Sequence, residues 1–194
     1  MRVPKILVIP GSSRGNSFNT RLAASAFRIF SSLDCEVTRI SLNDYPLPLY
    51  NGDLETRKGA PEQAVKLARI FDLHDGIMLV SPEYNGSISP LLKNALDWVS
   101  RIKGDNQGNI VPYEGKIFAL ASASPGSLGG IRGLSHIRDI MTSVGATTIA
   151  QQVAVSGAAS AFDDMDNLTN EHVNNKLNGL CDSLVKTARL LSMK

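Results

Sequence analysis

The sequence predicts a three-layer α/β protein: a doubly wound, five-stranded parallel sheet in the order 2-1-3-4-5, with helices on both faces. Three observations predict it. Five compact apolar runs alternate with segments of helical periodicity, which is the pattern of repeated strand–helix units. The first, third and fourth runs are almost continuously apolar, as in parallel strands buried on both faces. Finally, 194 residues carry only five such units, whereas a barrel needs about eight units and about 250 residues. With 43% hydrophobic and 20% charged residues, the chain is expected to form one domain over 1–194.

The runs are KILVI at 5–9, CEVTRISL at 35–42, GIMLVS at 76–81, KIFALAS at 116–122 and TTIAQQVAV at 147–155. Between the first two, Leu22, Ala23, Ala26, Phe27 and Phe30 put an apolar stripe on a helix over 17–31. A second helix is expected over 61–73, with Pro61 in its first turn and Val65, Ala68 and Phe71 on its inner face. SPLLKNALDWVS at 89–100 opens with a Ser–Pro start signal and aligns Leu92, Leu96 and Val99. Helices over 128–144 and 168–191 complete the set, the last with a seam of Leu177, Leu180, Leu184, Ala188 and Leu191. Residues 43–60 and 101–114 contain aromatics and prolines and read as ordered loops beside a site or a subunit contact.

Composition narrows the function. The 20 basic and 18 acidic residues leave a net charge of +2 and are interspersed along the chain, which argues against nucleic-acid binding. No apolar run approaches the roughly 20 residues of a membrane helix, so no membrane insertion is expected. The chain enters a strand without a secretion-signal pattern, and Cys35 and Cys181 lack metal-ligand spacing, so the expected compartment is the cytoplasm. His74, His136 and His172 show no metal spacing, and the aspartates of AFDDMDNLTNE lack the ligand register of a calcium loop.

The segments that carry chemistry follow strands. PGSSRGNSFNT at 10–20 collects glycines, hydroxyls, amides and Arg14 where a strand hands over to a helix. Glycines permit close backbone approach, hydroxyls and amides donate, Arg14 adds a charge-assisted pair, and the helix end is electropositive. The dinucleotide and P-loop fingerprints are absent, so one terminal phosphate is the expected ligand. Gly11 and Ser17 also suit a tight turn and a helix cap. SPEYNGSISP at 81–90 follows the third run and, in the 2-1-3-4-5 order, shares a crevice with the first loop.

Three motifs in register resemble the NADPH-dependent FMN reductases of flavodoxin-like fold, which include quinone, chromate and azo-dye reductases. They are GSSRGNSFN at 11–19, PEYNGSISPLLKNALDWVSR at 82–101 and SPGSLGGIR at 124–132. The resemblance implies an FMN phosphate cradle of Ser12, Arg14, Ser17 and Asn19, with Thr20 close behind. It implies a wall along the flavin ring from Pro82, Glu83, Tyr84, Asn85 and Gly86, with Asn85 as the polar contact. Ser124, Gly126 and Gly129 approach from the other side, and the turn entering the following helix offers backbone donors to the ring.

The implied activity passes hydride from NADPH or NADH through FMN to a small acceptor: free flavin, a quinone, an azo compound or a metal oxyanion. The alternative is a flavodoxin-type electron carrier, although the near-neutral charge does not suit one. No side chain is required as a catalytic group, because the cofactor carries the chemistry. Glu83 is expected to pair with a basic residue such as Arg101. Tyr84 is either a buried aromatic or a border of the pocket. Arg14, Arg101 and Arg132 are available for a 2′-phosphate, and their spacing selects none. The resemblance and the apolar helix bearing Trp98 also suggest a homodimer or homotetramer, unless Trp98 sits inside the monomer.

Overall fold

The computed structural model describes residues 2–191. Along the chain run β1 (Lys5–Pro10), α1 (Phe18–Ser31), β2 (Glu36–Arg39), α2 (Gly52–Lys58), α3 (Glu62–Asp72) and β3 (Gly76–Val80). A small hairpin of β4 (Glu83–Tyr84) and β5 (Ser87–Ile88) leads into α4 (Pro90–Arg101), and a second, β6 (Gly104–Asp105) and β7 (Gly108–Asn109), follows it. Then come β8 (Ile117–Ala123), α5 (Ile131–Ser143), β9 (Thr147–Val155) and α6 (Glu171–Leu191).

The five longer strands form one parallel sheet in the order β2-β1-β3-β8-β9, which is the expected 2-1-3-4-5 arrangement. Successive residues in a strand point to opposite faces, and here both faces are covered. Ile6, Val8, Met78, Val80, Ala119 and Ala121 pack with Leu22 and Phe30 of α1 and Leu177 and Leu184 of α6. Leu7, Ile9, Ile77, Leu79, Phe118 and Leu120 pack on the other side with Phe71 of α3, Leu92 of α4 and Ile137 of α5. Each such large side chain contributes about 1.5–3 kcal/mol on full burial. That two-sided burial makes the three central runs apolar throughout. At one edge, β2 is only four residues long and exposes Glu36, Thr38 and Arg39, a charged edge that discourages further strand addition.

Helix starts follow their capping residues. Ser17 accepts the N–H of Asn19 at 3.2 Å, and Ser89 accepts that of Leu92 at 3.2 Å, satisfying donors that a first turn leaves unpaired. The expected helix over 128–144 begins later, at Ile131, because Gly129 and Gly130 have φ of 62° and 89°, outside the right-handed helical region. The last helix likewise begins at Glu171 rather than 168, after a bridge pairs Phe162 with Leu168. Leu191, expected in its apolar seam, is 39% exposed.

Both segments read as loops contain regular structure. Within 43–60, Asn51 accepts the N–H groups of Asp53 and Leu54 and starts α2, whose Glu55 is gripped by Arg101 at 3.0 and 3.1 Å. Arg101 is therefore not the partner of Glu83. Within 101–114, Arg69 fastens the β6–β7 hairpin to α3 through the carboxylate of Asp105 and the carbonyls of Gly108 and Asn109.

Trp98 lies wholly inside the chain: its indole N–H donates to the Pro48 carbonyl at 2.8 Å, and its ring meets Tyr50 edge-on at 5.0 Å. It is thus no exposed anchor for a subunit contact. Cys181 is buried in α6, where desolvation pushes its thiol well up, and Cys35 is half-buried just before β2. The Asp163 carboxylate accepts the N–H groups of Met165 and Asn167, so it orders its own loop.

Candidate functional site

Three loops leave the carboxyl ends of β1, β3 and β8 and meet where the chain crosses to opposite faces of the sheet, the usual ligand position in doubly wound folds. Between them lies a cleft of about 130 Å³ lined by Ser12, Arg14, residues 17–19, residues 82–84 and residues 123–125. The largest hollow, about 690 Å³, lies elsewhere, beside Lys103, Val111, Tyr113 and Val144. Size alone does not locate the chemistry; the convergence of donors does.

The first loop is held down before it meets any ligand. A Cβ on Gly11 would stand 3.1 Å from the Leu92 side chain, so α4 packs directly on the loop's backbone. Ser89 reinforces that contact by donating its hydroxyl to the Gly11 carbonyl at 2.6 Å while it caps α4. Asn19, expected in the phosphate cradle, has another task. Its amide donates to the Ala123 carbonyl at 2.9 Å and accepts the Ala123 N–H at 2.9 Å, lashing α1 to the end of β8. Asn19 lines the cleft, as does its partner Ala123.

What remains at the cradle suits an anion. The hydroxyls of Ser12 and Ser17 line it, and the Arg14 guanidinium makes no hydrogen bond among the described residues. Neither the N–H of Phe18 nor that of Thr20, in the first turn of α1, finds an acceptor there. Hydroxyls, a free guanidinium and open N–H groups at a helix start are the donor set for a phosphate monoester.

The second loop is the β4–β5 hairpin. Asn85 and Gly86 form its tip with φ of 52° and 80°, the pattern of a type I′ turn, for which Asn–Gly is the favoured pair. Asn85 therefore has a backbone reason to be there, and it sits beyond the stretch of 82–84 that lines the cleft. Tyr84 is 47% exposed at the mouth, which decides between the two expectations: it borders the cleft.

Glu83 ties the second loop to the third. Its carboxylate accepts the N–H groups of Arg132 and Gly133 at 3.1 and 3.3 Å, at the start of α5, and Nε of Arg132 at 2.8 Å. Only 8% of the side chain is exposed. Burial works to raise its pKa, but the Arg132 side chain and the two N–H groups outweigh that and hold the carboxyl below its ordinary range. The amino end of α5 is thus already neutralised by Glu83. In the loop before it, the N–H groups of Ser127 and Leu128 meet no acceptor among the described residues.

Ser124 lines the cleft, whereas Gly126 and Gly129 shape the third loop from behind. The Gly126 carbonyl accepts the N–H groups of Gly129 and Gly157. Gly129 has φ of 62°, and a Cβ there would lie 2.9 Å from the backbone of residues 154–156. Thr20 faces a neighbouring hollow of about 280 Å³ on the far side of the first loop. Phe18, Ala123 and Pro125 line the cleft and were not singled out by sequence, nor were Ser89 and Ser122, which brace its loops. Phe18, Ser89 and Pro125 lie within the three motifs, and Ser122 and Ala123 immediately precede the third.

Residues 4–160 match the family model described as NADPH-dependent FMN reductase. The chain belongs to that family. This reductase is 34% identical over 138 residues to a quinone reductase of Escherichia coli, covering 71% of this chain and 69% of that one. It is 30% identical over 186 residues to the 2-hydroxy-1,4-benzoquinone reductase of a Burkholderia species, covering 95% and 96%. Among solved structures it superposes on FerB, a flavoenzyme NAD(P)H:(acceptor) oxidoreductase from Paracoccus denitrificans, with a TM-score of 0.79 at 26% identity, covering 96% and 98%. The fold is flavodoxin-like, and the family's activity is that of an oxidoreductase using FMN and NAD(P)H.

Proposed function

We propose that this chain holds FMN in the three-loop cleft and passes electrons from NADPH or NADH to a small acceptor, with quinones as the first class to test. The observation that carries the reading is the set of open donors at Ser12, Arg14, Ser17, Phe18 and Thr20 beside two further loops at the sheet's switch point. Quinones come first because the relatives named above are quinone reductases.

Bound FMN would supply the hydride acceptance and donation itself. The protein's part is binding, orientation and access. Ser12, Ser17 and Arg14 would take the phosphate oxygens together with the N–H groups of Phe18 and Thr20. Pro82 and the backbone of Glu83 wall one side of the cleft, and Ser124 walls the other. The Glu83–Arg132 tether fixes the spacing between those walls. Tyr84, at the mouth, meets whichever small molecule enters. No helix among the described residues is long and apolar enough to cross a membrane, and a cytoplasmic homodimer or homotetramer completes the proposal.

The test is direct. The purified protein should carry FMN, or take it up when added, and show flavin absorbance in the visible. The loaded protein should oxidise NADPH or NADH rapidly in the presence of a quinone. A protein that neither copurifies with FMN nor binds it removes the basis of the reading; one that binds FMN without coenzyme oxidation is a carrier instead.

A further inference from the structure

The hollow on the far side of the first loop is built for a second anion. It adjoins the cleft, sharing Ser12 and Arg14 with it, and its outer wall is Arg39, Ser41, Asn43 and Asp44. Arg39 ends β2, next to the first strand in the sheet. Its guanidinium carbon lies 5.8 Å from the centroid of the Phe27 ring, which fixes the head group while leaving its N–H fork open. No hydrogen bond or ion pair among the described residues uses that fork. Asn43 donates to the Ser13 carbonyl at 3.1 Å, joining the outer wall to the phosphate loop.

Apart from Arg14, the other arginines near the site are spent. Arg132 is held by Glu83, Arg101 by Glu55 and Arg21 by Asp166. A planar guanidinium with no hydrogen bond or ion pair among the described residues, at the carboxyl end of the second strand, matches a phosphate monoester. The hollow is lined by two arginines and one carboxylate, Asp44. Two cations against one anion favour a phosphate over the bare 2′-hydroxyl of NADH.

We propose that this hollow receives the 2′-phosphate of NADPH, with Arg39 as the residue that selects NADPH over NADH. The inference rests on the reading that the chain uses FMN and a pyridine dinucleotide. Because the hollow and the cleft share Ser12 and Arg14, a coenzyme with its 2′-phosphate in the hollow would lie beside the FMN in the cleft.

Arg39→Gln removes the charge while keeping a polar side chain at the position. In FMN-loaded protein it should lower the ratio of kcat/KM for NADPH to that for NADH by about tenfold or more, chiefly through KM for NADPH. Arg39→Lys should recover part of the ratio. Independently of turnover, calorimetric titration should show wild type binding 2′,5′-ADP more tightly than 5′-AMP, and R39Q should erase the difference. An unchanged coenzyme ratio in R39Q overturns the proposal, as does a wild type that does not distinguish the two nucleotides or a preference that survives the substitution. Failure to bind FMN would sink the functional reading instead, and the nucleotide titration would still decide the role of the hollow.

Discussion

Asn19→Ala is the sharpest probe of how the cleft is held. The wild-type amide is 2% exposed and makes a reciprocal pair of 2.9 Å bonds with the backbone of Ala123, itself 3% exposed. Truncation leaves both an N–H and a carbonyl of Ala123 buried without partners. A buried polar group so orphaned costs about 1–3 kcal/mol, giving about 2–5 kcal/mol for the pair after partial relaxation. In a chain of this size each kcal/mol moves Tm by about 2–4 °C, so a fall of about 4–20 °C is expected. Urea unfolding of the apo-protein should show a lower midpoint with an unchanged slope. The apo form matters. If the Asn19 side chain instead held the phosphate, the variant would lose FMN affinity while apo stability stayed within about 0.5 kcal/mol of wild type. That result would refute the assignment.

Two other substitutions test neighbouring claims. Glu83 titrates below the ordinary value of 4.5 in the folded chain, so its contribution to stability is present above that pH and lost as pH falls through the folded value. In Glu83→Gln, the urea midpoint between pH 6 and pH 3 should vary less steeply than in wild type; parallel profiles would contradict the tether. Trp98→Phe removes the bond to Pro48 and part of a fully buried side chain, and should cost about 1–3 kcal/mol by thermal melting. Its sedimentation coefficient should equal that of wild type, because Trp98 faces the chain's own core; altered assembly at retained fold would show otherwise.

The sheet was legible because burial on both faces leaves no polar position in strands such as ILVI and IMLV, a pattern composition reveals without any alignment. α2 was hidden for the opposite reason: GDLETRK buries none of its residues, so it has no apolar stripe, and only Asn51 with the following acidic residues marked its start. Residues from all three motifs line one cleft, since loops at strand ends need little more than order along the sequence. Partnerships within it were not readable. Glu83 chooses Arg132 over Arg101 because α4 carries Arg101 toward α2, a consequence of helix direction rather than of local sequence. Asn85 looked like a ligand contact, yet its positive φ gives it a turn-forming role that a quoted motif conceals. Arg39 drew no notice, as a lone cation on an edge strand carries no signal until the first loop is folded beside it.

The cleft's braces span the chain: Asn19 to Ala123 is a separation of 104 residues, Ser89 to Gly11 is 78, and Glu83 to Arg132 is 49. No contiguous fragment therefore contains a finished site. A growing polypeptide gains its first loop early, but that loop gains its Ser89 brace only as α4 is reached and its Asn19 brace only once β8 has been made, and the second and third walls come into register only once α5 begins. Capture of FMN in this cleft would accordingly come late in synthesis and would require the whole fold. Each bound FMN would then stabilise the complete chain by mass action and leave truncated or mispaired products exposed to proteolysis.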